Sequence, residues 1–139
     1  MLATRNRLRT STDFSTTVRS GVRNGRRNLV LYTAPIAADQ ATRIGFIVSK
    51  AIGNAVTRNL VKRRLREAGA LSLGMHGTGL AVVVRALPAA ATASWDQLLA
   101  DYNAALSVTT KRLAGSVRNG EKVASPELNG TTEEGTPRA

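Results

Sequence analysis

An α/β (α+β) fold is predicted: a small two-layer sandwich with helices packed on one central, mostly antiparallel sheet of about four strands. Three observations lead there. Apolar β-type runs recur at NLVLYTA (28–34), RIGFIVSK (43–50) and LAVVVRA (80–86). Helical periodicity separates them, at about 54–68 and again from SWDQ (94–97) onward. The 139 residues suffice for one modest core, and no segment repeats.

In chain order, residues 1–10 read as a flexible basic arm. TSTDF (10–14) supplies N-cap residues for a short helix to about Val18, closed by Ser20 and Gly21. GVRNGRR (21–27) reads as a basic loop or short edge strand. The strand at 28–34 ends at Pro35, and the loop length before 43–50 suits a hairpin between these two strands. Gly53 and Asn54 introduce the helix at 54–68, stopped by Gly69, and SLGMHGTG (72–79) is a loop. LAVVVRA is almost wholly apolar, as expected of a strand buried on both faces. SWDQ resembles a capping box, opening a helix that carries Leu98, Leu99, Tyr102, Leu106 and Leu113. The folded domain is expected over 11–113. Residues 114–139, rich in Gly, Ser, Thr, Asn, Pro and Glu, read as a disordered tail.

Composition narrows the function. With no Cys, disulfides and thiolate metal sites are excluded, which suits a reducing cytoplasm. No apolar run reaches about 18 residues, so no membrane span is expected. The net charge is +11, and segments 1–27 and 43–68 carry +6 each. Charge confined to two segments can form a patch on folding, and such a field draws polyanions: nucleic acid or an anionic membrane surface, of which the pattern favours nucleic acid.

The second segment has directional character. At about 100° per residue, Arg58, Asn59, Lys62, Arg63 and Arg66 share an arc of about 140°. Val61, Leu65 and Ala68 form a separate stripe for the sheet, with Val56 and Leu60 on its far flank. Arg64 falls inside the apolar arc and fits only by snorkelling to solvent. The Arg58–Lys62–Arg66 ladder is self-repelling, which weakens an isolated helix unless an anion relieves it. Arg offers planar, multiple donors to phosphate, and Asn can bond a base edge, a ribose or backbone.

IGFIVSKAIGNAVTRNLVKRRLRE (44–67) resembles the bacterial ribonuclease P protein family, marked by SK, then G-N-A-V, then R-N-x-x-K-R-x-x-R. The likeness continues in DF (13–14), LVLYT (29–33) and the strand at 80–86, covering roughly residues 8–112. It implies a ribosomal protein S5 domain 2-like fold with a left-handed βαβ crossover, against the usual right hand. It also implies a holoenzyme subunit in endonucleolytic removal of the precursor tRNA 5′ leader. The catalytic centre would lie in a partner RNA that binds Mg²⁺, with no catalytic residue, metal ligand or tightly bound cofactor in this chain. The arginine-rich helix (Arg58, Asn59, Lys62, Arg63, Arg66) would dock on that RNA. A cleft between the first helix and the sheet (Phe14, Val18, Tyr32, Ser49, Lys50, Asn54) would hold the leader. Two positions depart from the family pattern: Val18 replaces a second aromatic, and Ala51 replaces a further cation. Arg23, Arg26, Arg27 and the basic arm are expected to compensate electrostatically. The protein is expected to be cytoplasmic, monomeric without RNA, and not membrane-bound.

Blander readings cover other residues. Spacing alone favours core over stacking platform for Phe14, and leaves the face of Tyr32 undetermined. Trp95 and Tyr102 read as packing. His76 sits in a Gly-rich loop with no Cys, second His or nearby acid. GMHGTG precedes a strand and so lacks the context of a nucleotide-binding loop. Asp13, Asp39, Glu67, Asp96 and Asp101 show no paired or metal-ligand spacing, which disfavours an autonomous nuclease. A non-enzymatic RNA-binding protein of the ribosome or of ribosome assembly is the main alternative.

Overall fold

The structure is a computed structural model that describes residues 2–118. Helix α1 (Ser11–Ser20) is followed by strands β1 (Val22–Gly25), β2 (Leu29–Pro35) and β3 (Arg43–Ile47). Helix α2 (Ala55–Ser72), strand β4 (Leu80–Ala86) and helix α3 (Trp95–Arg118) complete the chain. The sheet order is β1-β2-β4-β3. Two pairings are antiparallel, and the outer pair, β3 with β4, is parallel.

This order corrects the expected hairpin between the second and third strands, because β4 lies between them. The physical reason is the composition of LAVVVRA. A strand apolar on both faces is most stable with a neighbour on each side, and four consecutive residues, Ala81 to Val84, are buried. Loop 36–42 is instead tied to the loop before β4. Ile36 N–H donates to Gly79 O at 3.0 Å and Thr42 N–H to Gly77 O at 2.9 Å.

Alternation along the strands separates two cores. On one face Leu29, Leu31, Ile44, Val82 and Val84 meet Val61 and Leu65 of α2 and Leu98 and Tyr102 of α3. On the other, Val30, Tyr32, Ala81 and Val83 gather with Leu8, flanked by Phe14 and Val18 of α1.

The helix ends follow their caps. Thr10 accepts from Asp13 N–H at 3.1 Å, and α1 continues two residues past Val18. The capping box at α3 closes in both directions: Gln97 N–H donates to Ser94 Oγ, and Ser94 N–H to Gln97 Oε1. Gly69 does not stop α2, which runs on to Ser72. A Cβ there would lie 3.2 Å from the Phe46 ring and 3.3 Å from Ile44 Cδ1, so this glycine lets the helix approach β3.

The first ten residues are a further correction. Leu2 and Leu8 are buried, Asn6 Nδ2 donates to Thr42 O at 2.8 Å, and Leu8 N–H donates to Ile44 O at 3.1 Å. The segment is not a free arm; its apolar residues dock beside the outer edge of β3 while Arg5, Arg7 and Arg9 stay exposed. At the other end α3 passes the predicted boundary at 113 and continues to Arg118, and the rest of the predicted tail lies outside the described residues.

Candidate nucleic-acid interface

The motif SKAIGN folds as a turn that aims α2. Ser49 Oγ accepts from Ala51 N–H at 3.3 Å, Lys50–Ile52 form a single 3-10 turn, and Ile52 is buried as its anchor. Gly53 has φ +150°, a conformation that L side chains rarely adopt, and a Cβ there would press on Thr57. Asn54 then caps α2 through Oδ1, which accepts from Thr57 N–H at 2.9 Å. Ser49 and Asn54, both read as leader contacts, thus have their acceptor oxygens engaged in building the turn. Lys50 and the Asn54 amide nitrogen remain at the exposed surface.

Helix α2 divides as its periodicity requires. Val61, Leu65 and Ala68 are buried; Asn59, Arg63 and Arg66 are exposed; Arg58 and Lys62 are half-buried. The Arg58 Nε is withdrawn from solvent without a hydrogen-bond partner. Arg64 does not snorkel: its Nη1 donates to Ala93 O at 3.0 Å, tying α2 to the segment that leads into α3. Val56, placed on the far flank of the stripe, is 78 % exposed.

The α1 side of the sheet unites the other predicted residues. Phe14, Val18 and Tyr32 belong to one cluster, which fixes the face of Tyr32. Gly45 makes room for Phe14, since a Cβ there would be 2.3 Å from Phe14 Cζ. Phe14 is therefore partly core and partly surface. Tyr32 is only 9 % exposed, so it offers an edge more than a full ring face. Cross-strand register sets Arg23 beside Tyr32, and Arg85 between Val30 and Ile47. Arg23 and Arg85 are exposed on this face, Arg23 on the edge strand β1 and Arg85 on the inner strand β4, beside a shallow apolar floor.

Comparison with known proteins gives the family. The family model Ribonuclease P matches residues 2–110. The ribonuclease P protein component of Arthrobacter sp. (strain FB24) is 76 % identical over 139 residues, covering all of both chains. That of Streptomyces bikiniensis is 47 % identical, covering 85 % of this chain and 100 % of the relative. The chain belongs to the ribonuclease P protein family. Its role is that of the protein subunit of ribonuclease P, in 5′ maturation of tRNA. Among solved structures, the Staphylococcus aureus RNase P protein superposes with TM-score 0.67 at 28 % identity, covering 74 % of this chain and 94 % of that one. The Thermotoga maritima RNase P protein shares the fold, with TM-score 0.64 at 22 % identity.

Within this ribonuclease P fold, sequence reasoning passed over Arg85. Its signal was available: one cation in an otherwise apolar strand, at a position whose alternation with Val84 turns it to the α1 side. Asp101 is engaged structurally, accepting from the Asn28 backbone N–H at 3.0 Å and from Asn28 Nδ2 at 2.9 Å. Tyr102 packs in the larger core and shares a 2.9 Å bond with Ser72; burial pushes its hydroxyl up to about 12. Trp95 packs against the same core, and His76 is half-buried in its loop. Among the described residues no three His, Asp or Glu side chains come together as metal donors, and no helix is long and apolar enough to cross a membrane.

Proposed function

We propose that the arginine-rich face of α2 docks on the catalytic RNA of ribonuclease P, while the α1 side of the sheet receives the 5′ leader of precursor tRNA. The division of α2 carries this reading: one stripe is buried in the core, and the opposite arc presents Arg58, Asn59, Lys62, Arg63 and Arg66. Phosphate contacts from that arc would set orientation without reading sequence. The floor around Phe14, Val18 and Tyr32, bordered by Arg23, Arg85 and Lys50, suits a single strand, whose bases pack on apolar surface while cations follow its backbone.

The chemistry of cleavage is assigned to the RNA partner. Among the described residues the acids are scattered and do not fit a Mg²⁺ ion, so divalent metal would enter with the RNA and no step is routed through a protein-held ion. The same reading makes the protein cytoplasmic and monomeric before it meets RNA. Mixing purified protein, catalytic RNA and precursor tRNA at low Mg²⁺ tests it. Cleavage should require both protein and RNA. Cleavage by the protein alone, or no stimulation of the RNA, would sink the proposal.

A further inference from the structure

At the outer edge of β3, Arg7, Lys62 and Arg66 border a cavity of about 170 Å³ together with Phe14, Ile44 and Phe46. Its position is unusual, because Phe46 packs with the α2 side of the sheet and Phe14 with the α1 side. The cavity therefore wraps the edge and joins the arginine-rich face to the leader face.

Its chemistry is one-sided. Three cations line it and no acid does. Cations converging on an apolar floor repel one another unless an anion enters. Arg7 is held in place by its own donor, since Nε reaches Leu2 O at 3.2 Å, leaving the terminal nitrogens for another acceptor. Strand alternation adds a backbone donor. Ile44 O faces outward to receive Leu8 N–H, so the Phe46 N–H two residues on points to the same edge, past that short bridge.

The depression is open to solvent on one side, so its lining and not its volume selects the occupant, and three cations around an apolar floor suit a phosphate with its sugar. The two phenyl rings suit ribose carbons. We propose that this cavity binds one phosphodiester of single-stranded RNA: the phosphate held by Arg7, Lys62, Arg66 and the Phe46 N–H, the ribose packed on Phe14 and Phe46. The inference deepens the proposed function, on which it rests for its RNA ligand, by giving a strand a route from the leader face to the arginine-rich helix.

Backbone NMR of the free protein, titrated with inorganic phosphate, uridine and the dinucleotide UpU, tests the site. UpU should move the Gly45 and Phe46 amides saturably and bind several-fold tighter than phosphate or uridine. Arg7→Gln and Arg66→Gln should each weaken UpU by about three- to tenfold, as loss of a charge-assisted bond implies. The Leu8 amide reports whether Arg7→Gln has released the N-terminal segment; if it has, Arg66→Gln, on an exposed helical position, decides. Shifts confined to residues 49–63, equal affinity for UpU and phosphate, or unchanged binding by Arg66→Gln would overturn the proposal. Cleavage stimulation by wild-type protein is measured in parallel. Full stimulation without UpU binding at this edge removes the cavity alone, and absent stimulation removes the functional reading.

Discussion

The two faces of the sheet are built from the same strands but finished differently. On the α2–α3 face, Leu29, Leu31, Val82 and Val84 lie sealed beneath helices of 18 and 24 residues. Two hydroxyl pairs close within that layer: Thr33 with Thr109 at 2.9 Å, and Ser72 with Tyr102 at 2.9 Å. The other face is covered by a ten-residue helix, about 15 Å long, and by the docked N-terminal segment. Its apolar floor is smaller, and cations stand at its margins. One face is sealed, and the other, to which the proposed function assigns the leader, is left partly open. Because side chains alternate, a run such as VLYT serves both.

The sharpest way to break this comparison is to exchange the consequences of truncation. Leu65 is fully buried between α2 and the sheet, and Leu65→Ala should cost about 2–5 kcal/mol in denaturant unfolding. Phe14→Ala, at a half-exposed ring, should cost less stability yet weaken binding of precursor tRNA more than of mature tRNA. If Leu65→Ala selectively lost leader discrimination, the division of labour would be wrong.

Alkaline pH should act on the sealed face. The Tyr102 hydroxyl ionises near 10 in the unfolded chain and is raised to about 12 when folded, chiefly by burial, against the opposing bond from Ser72. Between these values the unfolded state binds fewer protons, so stability falls as pH rises. The contribution is intact below pH 10, and about 2–3 kcal/mol is lost by pH 12. Unfolding curves at pH 9 and 11.5 should show this loss in wild type, and a smaller one in Tyr102→Phe.

Gly45→Ala tests where the faces meet. The added methyl cannot coexist with the Phe14 ring where it stands and crowds Leu8 Cβ, 3.0 Å away, so the ring must be displaced. A cost of about 1–3 kcal/mol is expected, together with reduced leader discrimination. Unchanged precursor binding would mean that Phe14 is core alone.

Much of this division was legible in the sequence, because it is periodic. The α2 arc, the capping box at Ser94 and the doubly buried β4 follow from local spacing. What escaped depended on partners distant in the chain. The seven-residue gap between β2 and β3 suits a hairpin, yet β4, some 33 residues after β3, takes the position between them. The burial of LAVVVRA implied a central strand, and a central strand at the end of the sheet's sequence has to insert. Arg64 shows the same limit. Its place in the apolar arc was visible, but its acceptor, Ala93 O, lies 29 residues away. Leu2 and Leu8 were hidden among arginines, where charge dominated the composition.

The finest test concerns a position where this chain departs from its family's pattern. Val18 stands half-buried on α1 beside Tyr32, where a second aromatic is expected. If the α1 face is an unfinished platform, Val18→Phe should add a ring for one more base. Stacking of this kind is worth about 1–3 kcal/mol per base, and a partly covered site should realise the lower end, about a fivefold gain in affinity. Precursor tRNA should gain and leaderless tRNA should not, because the proposed function puts only the leader on this face. Stability should change by less than about 1 kcal/mol, since the position is half open. An equal gain for both RNAs would move the effect off the leader and onto general RNA affinity. A stability loss matching that of Leu65→Ala would mean that the α1 face is as tightly packed as its opposite, and the contrast between the faces would then fail.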